Sequence, residues 1–227
     1  DQALLAEKTL RFVTEVVNRY KDNDVIYAWQ VENEPLNRAG PRNWWLDRDF
    51  LKKEIDLVRQ LDPHRRPVVL NAMTYANAPL RFLNRIIYMR DPVRDIVGLS
   101  DIPAINSYPS IGHRFFNMKL YFWSKPVQRI RFYKYFIDLA RAAGKKPWIT
   151  ELQAEPWDPG ELVHVKEEFP VTFAAENLLV TFEELRSTGA DTVFFWGVEY
   201  WIYRQKQFQD NTLMDTFKEI RMLGDAL

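Results

Sequence analysis

Short runs of β-branched and aromatic residues alternate with amphipathic stretches along almost the whole chain. A chain that alternates in this way builds a parallel sheet joined by right-handed crossovers. Leu5, Thr9, Phe12, Val13, Val16, Val17 and Tyr20 recur at helical spacing, which predicts a helix ended by Asp22, Asn23 and Asp24. VIYAWQV, Val25 to Val31, is too short for a helix and predicts a strand with both faces buried. A second helix, carried by Phe50, Leu51, Ile55, Val58 and Leu61, stops at Asp62-Pro63, because proline disfavours helical backbone in the residue before it. The order then repeats: a strand at about Pro67 to Ala72, a helix from Leu80 to Met89 and a strand ending near Tyr108. After these come a helix running from Val127 to Gly144 and the strand PWITE ending at Glu151. A helix from Phe173 to Thr188 closed by Gly189, a strand ending near Trp196 and a last helix from Leu213 to Leu223 complete the pattern. The 227 residues read as a single domain.

Both a doubly wound sheet and a (β/α) barrel satisfy this order. In barrels, functional groups gather just past the C-terminal ends of several strands. Here such groups follow each strand in turn: Asn33-Glu34, Asn71, Asn106 to Tyr108, Glu151 and Trp196. No glycine-rich phosphate loop follows any strand, which weakens the dinucleotide-binding alternative.

Glu34 and Glu151 each follow a strand run directly, and a charge at the rim of a hydrophobic sheet is costly unless it is used or paired. They lie 117 residues and three strand steps apart. That is a spacing of about 39 residues per unit, in keeping with a barrel carrying some loop insertions. In a closed eight-stranded barrel, strands three steps apart face each other across the mouth, so the two carboxylates can converge on one substrate. Composition narrows the chemistry further. Lys plus Arg and Asp plus Glu both number 31, so the net charge is zero and nothing favours nucleic acid or an anionic membrane. Zero Cys and three scattered His exclude thiolate chemistry and argue against a metal centre, and no cofactor is implied. Two carboxylates without metal ligands or a cationic cradle suit glycosidic bond cleavage. The eight Trp add flat apolar faces for sugar rings, with Trp44, Trp45, Trp157, Trp196 and Trp201 at or just past strand ends.

WQVENEP, INSYP, WITELQAEPW and FFWG together resemble the strand-end motifs of the clan A glycoside hydrolases, retaining (β/α)8 barrels that include the cellulase-like family 5 and its relatives. The resemblance runs from about Val25 to Trp196. It implies Glu34 as acid/base at the end of the fourth barrel strand, Asn33 as its sugar-binding neighbour and Glu151 as nucleophile on the seventh strand. It also implies Tyr108 as the tyrosine holding the nucleophile and Trp196 as the aromatic floor of the sugar site. Trp157 and Trp201 are further expected substrate contacts. Glu32, in alternation with Glu34, reads as the structural acid of the two, and Glu155 and Glu199 as spare rim acids.

Only five of eight strands are present, matching the fourth to the eighth, so the expected fold class is an incomplete (β/α)8 barrel lacking its first three βα units. Two open sheet edges are then expected, to be filled by an N-terminal part of the barrel or by self-association. The first residues already read as the body of a helix, so the chain is expected to start within a domain, and no signal peptide or membrane span is seen. The partner expected is an oligosaccharide or glycoside. Two further readings stay open: a non-catalytic carbohydrate-binding or assembly module derived from such a barrel, and a transglycosylase using the same pair. His113, just past the third strand, reads either as a sugar contact or as a satisfied loop histidine, and Phe115, Phe116 and Trp123 are expected to pack a loop. The interleaved basic and aromatic residues from Lys119 to Tyr135 are expected to form an amphipathic helix.

Overall fold

The structure is a computed structural model that describes residues 2–37, 46–73, 86, 91–159 and 170–224. Along the chain run α1 (Gln2–Tyr20), β1 (Trp29–Gln30), α2 (Arg48–Leu61), β2 (Val68–Met73), α3 (Pro92–Leu99) and β3 (Ile102–Ser107). They are followed by β4 (Ser110–Phe115), β5 (Met118–Trp123), α4 (Pro126–Ala142), β6 (Trp148–Gln153), α5 (Ala175–Ser187), β7 (Thr192–Trp196), α6 (Val198–Phe208) and α7 (Thr212–Gly224). Five parallel strands form one sheet in the order β1-β2-β3-β6-β7, and β4 and β5 pair separately as an antiparallel hairpin. Strands joined through helices in this order are an incomplete (β/α) barrel. The chain divides into two compact units. The first holds α1, β1, α2, β2, α3 and the start of β3; the second holds the β4–β5 hairpin, most of β6, and α5, β7, α6 and α7.

In the first unit β2 is buried along nearly its whole length, as a central strand of a parallel sheet must be. The helix α2 starts at Asp47, whose carboxylate accepts the Asp49 N–H at 2.8 Å, and it buries Leu51, Ile55 and Val58 on one face. The strand expected over Val25 to Val31 is shorter: only Trp29 and Gln30 pair, in parallel with Val68 and Val69. Val25 and Tyr27 are exposed, not buried. The cause is Arg66, whose guanidinium donates to the carbonyls of Lys21, Asn23 and Ile26 at 2.6, 2.9 and 2.8 Å. These carbonyls are satisfied by a side chain instead of a neighbouring strand. Asp62 anchors Arg66 at 2.9 Å and also accepts from the Trp29 indole, which together fix where β1 can begin.

The same unit holds one costly group. Glu54 on α2 is fully buried, and as a carboxylate its oxygens meet no donor. Burial, followed by the charge of Glu32 beside it, pushes its pKa up to about 8. Glu54 is therefore a carboxylic acid at neutral pH and shares a proton-mediated contact with Glu32, whose own pKa burial raises. Its folded pKa lies above the unfolded value, so the folded state holds more protons than the unfolded one between about 4.5 and 8. Stability is present at low pH and lost as pH rises through about 8. We expect Tm to fall by roughly 5 °C or more from pH 6 to pH 9. Glu54→Gln, neutral at both, should flatten that slope in a thermal melt; an unchanged slope would show that Glu54 is not its source.

In the second unit the core gathers Ala154, Phe173, Leu178, Tyr200, Trp201, Leu213 and Ile220 beneath α5, α6 and α7. Arg129 on α4 and Glu184 on α5 form a buried bidentate pair, with both N–O distances 2.6 Å. Three elements depart from the sequence expectations. Pro92–Leu99 is a helix, α3, with Pro92 in its first turn and Asp91 as its cap. Val198–Phe208 is a helix, α6, begun at Gly197. Lys119 to Trp123 is a strand of the hairpin, and the helix expected over that stretch starts only at Pro126. The helix expected from Leu80 to Met89 lies, Ile86 apart, outside the described residues.

Candidate active site

In the first unit, the carboxyl ends of β1 and β2 are tied by a chain of amides. The Asn71 side chain accepts the Glu34 N–H at 2.7 Å and donates to Asn33 Oδ1 at 2.8 Å. Asn37 donates to Glu34 Oε2 and to the Met73 carbonyl, each at 3.4 Å. Glu34 has φ of +50°, a conformation uncommon for a residue with a side chain. Strained backbone persists only where its surroundings over-determine it. Here Asn71 and the following Pro35 do so, presenting a half-buried carboxylate just past β1. Asn71, fully buried on β2, was visible in the sequence as a strand-end polar residue, but its role as the brace of Asn33 and Glu34 was not.

In the second unit, Glu151 is half-buried on β6, two residues before the strand ends. The Tyr108 hydroxyl donates to its Oε2 at 2.5 Å. Asn106, whose Oδ1 accepts from the Thr150 hydroxyl at 2.7 Å, also hydrogen-bonds the Glu151 carboxylate. Burial pushes the Glu151 carboxyl above its ordinary value, and the bonds from Tyr108 and Asn106 pull it back. The Tyr108 ring packs on Trp157, with centroids 4.7 Å apart. The expected tyrosine–carboxylate pair is thus formed, with Trp157 fixing the tyrosine from behind.

Glu155, a little further along, accepts the Trp196 indole N–H at 3.1 Å. Burial, with a smaller contribution from Glu199, raises its pKa, and the Trp196 and Trp157 indoles lower it. Gly197 is obligatory here: it has φ of +108°, and a Cβ would lie 2.4 Å from that of Glu155. Trp196 is 47% exposed and offers an open ring face. Trp201 does not. It is 1% exposed in the core, and its indole donates to the Ala154 carbonyl, so the expectation of a sugar contact is corrected to one of support for the strand end. Trp201 follows the β7 strand end in sequence, but α6 begins there and turns its ring inward. Trp44 and Trp45 lie outside the described residues. Among the described residues, no group of three or more His, Asp or Glu could hold a metal ion, and no helix is long and apolar enough to cross a membrane.

No protein-family model and no curated protein matches this sequence. Solved structures do. A β-glucuronidase of Faecalibacterium prausnitzii matches with a TM-score of 0.55 at 20% identity, over 85% of this chain and 28% of its own. The Bifidobacterium dentium β-glucuronidase complexed with coumarin-3-O-glucuronide gives 0.56 at 20%, over 86% and 28%. The Ruminococcus gnavus β-glucuronidase in complex with D-glucuronic acid gives 0.52 at 14%, over 85% and 30%. The chain spans under a third of the length of each of these proteins. At such identities the likeness establishes the fold, an incomplete barrel of the kind these glycosidases carry.

Proposed function

We propose that the chain is the C-terminal portion of a retaining glycoside hydrolase that cleaves a β-linked glycosidic bond, with Glu151 as nucleophile and Glu34 as acid/base. The observation that carries this reading is the Tyr108–Asn106–Glu151 cluster. Two donors aimed at one carboxylate fix its orientation and pull its pKa back against the rise that burial causes, which a nucleophile needs and a rim charge does not. Glu34 suits the complementary role. The amide chain through Asn71 orients it, and Asn33 beside it is placed to accept or donate to a sugar hydroxyl. Trp196 supplies an open ring face for the sugar. The solved β-glucuronidases of the same fold support glycosidic chemistry in general. We place the chain among the cellulase-like clan on its own motifs.

In this reading the covalent step joins Glu151 Oε to the anomeric carbon as the leaving oxygen departs with the proton of Glu34. Water then enters with Glu34 as base and restores both groups. The test is turnover of p-nitrophenyl β-glucoside and β-glucuronide across pH, in the native protein and in Tyr108→Phe. Loss of the Tyr108 bond removes an interaction that lowers the Glu151 pKa. The acid limb of kcat/KM should therefore move to higher pH in the variant, with kcat falling about 10-fold or more. An acid limb that stays in place would separate Tyr108 from the reacting carboxylate.

A further inference from the structure

The catalytic reading leaves the β4–β5 hairpin unused. Its register pairs Arg114 with Lys119, Gly112 with Tyr121 and Ser110 with Trp123. Side chains alternate across a strand, so these six share one face. Two cations directly opposite each other are destabilising unless something neutralises them. Among the described residues neither Arg114 nor Lys119 has an acidic partner, and both are exposed. Next to them on the same face, Tyr121 and Trp123 stack at 5.9 Å with planes 28° apart, and Trp123 is 57% exposed.

The base of this face is fastened to the catalytic strand. Gln153, two residues past Glu151 on β6, accepts the Ser110 N–H at 3.1 Å and donates to the Ser110 carbonyl at 2.8 Å. Gly112 donates to the Trp157 carbonyl at 2.7 Å, and a Cβ there would lie 2.4 Å from Pro159. Trp157 in turn packs on Tyr108, which holds Glu151. Stacked rings followed by paired cations thus extend from the nucleophile's own support for about 14 Å along the strand.

We propose that this hairpin face binds the extended part of an anionic oligosaccharide substrate, its rings on Tyr121 and Trp123 and its carboxylate or sulfate groups on Arg114 and Lys119. The inference rests on the glycosidase reading and adds the charge class of its substrate. The chain's net charge of zero makes two local cations a specific device and not part of a general basic surface for nucleic acid.

The experiment measures binding of three probes to the protein by calorimetry at low and moderate salt: a β-1,4-linked oligoglucuronate hexamer, cellohexaose with the same backbone and no carboxylates, and a twelve-residue oligo-dT. The native protein should bind the oligoglucuronate at least 10-fold more tightly than cellohexaose, and salt should erode that margin. R114A combined with K119A should remove the margin and leave cellohexaose binding unchanged, while W123A should weaken both sugars. These positions are exposed, so the variants should keep the native fold, read by circular dichroism. Equal affinity for the two sugars, a double variant with the margin intact, or tighter binding of oligo-dT would overturn the proposal. Binding measured in the background of Glu151→Gln separates the two readings. Loss of turnover with the salt-sensitive margin kept supports both, whereas turnover kept in Glu151→Gln discards the dyad and leaves the binding result to judge the hairpin alone.

Discussion

Glu151→Ala should lower hydrolysis of an aryl β-glycoside by ~10⁴-fold or more, a loss of the size seen when a covalent nucleophile is removed. The expectation follows from how much of the second unit is spent on this one side chain. Tyr108 donates to it, Asn106 donates to it with its own amide fixed by Thr150, and Trp157 fixes Tyr108. None of these groups belongs to the core beneath α5, α6 and α7, so the variant should keep its melting temperature within a few degrees. Truncation also opens a space beside the anomeric carbon. Azide should then restore turnover of an activated glycoside and give the glycosyl azide of opposite configuration, since a small anion attacks where the carboxylate stood. Retained turnover in Glu151→Ala, or an azide product of unchanged configuration, would place the nucleophile elsewhere.

The pattern that announced the fold was the alternation itself, and the five sheet strands fall where it put them. What it could not announce were features decided by distant side chains. Val25 to Ala28 has strand composition and forms no strand, because Arg66, forty residues after Ile26, takes the Ile26 carbonyl and that of Asn23 just before the stretch. The hairpin escaped notice because Phe116 makes its turn without glycine, in the left-handed region at φ of +52°. Lys119 to Trp123 therefore looked like the start of the following helix. At the site, Glu151, Tyr108 and Trp196 were legible because strand ends in a barrel carry its chemistry. Asn71 and Gln153 were not. Each is an ordinary polar residue in sequence, and each acts by bonding a backbone group far off in the chain, Glu34 past β1 for Asn71 and Ser110 on β4 for Gln153. Trp201 shows the converse: tryptophan near a strand end signals a sugar contact only when the backbone leaves its face open, and α6 closes it.

Glu34→Gln should produce a loss whose size depends on the leaving group, and this dependence distinguishes acid catalysis from any structural part Glu34 plays. With a sugar or alkyl leaving group, the departing oxygen is strongly basic and cannot leave without a proton, so kcat/KM should fall by ~10²–10⁴-fold. With 2,4-dinitrophenolate, stable as an anion, the bond breaks unassisted and the first step should be nearly unchanged. The second step still needs a base for water, so the glycosyl-enzyme on Glu151 should accumulate and appear as a burst. Glutamine keeps the shape of the side chain and can still interact with Asn37. The backbone N–H bond to Asn71 is untouched, so the φ of +50° stays supported. A residue that served only to hold this turn would, on substitution, cost all substrates alike. Equal losses across leaving groups would therefore reassign Glu34 as a positioning residue, and the proton donor would have to be sought elsewhere on the protein.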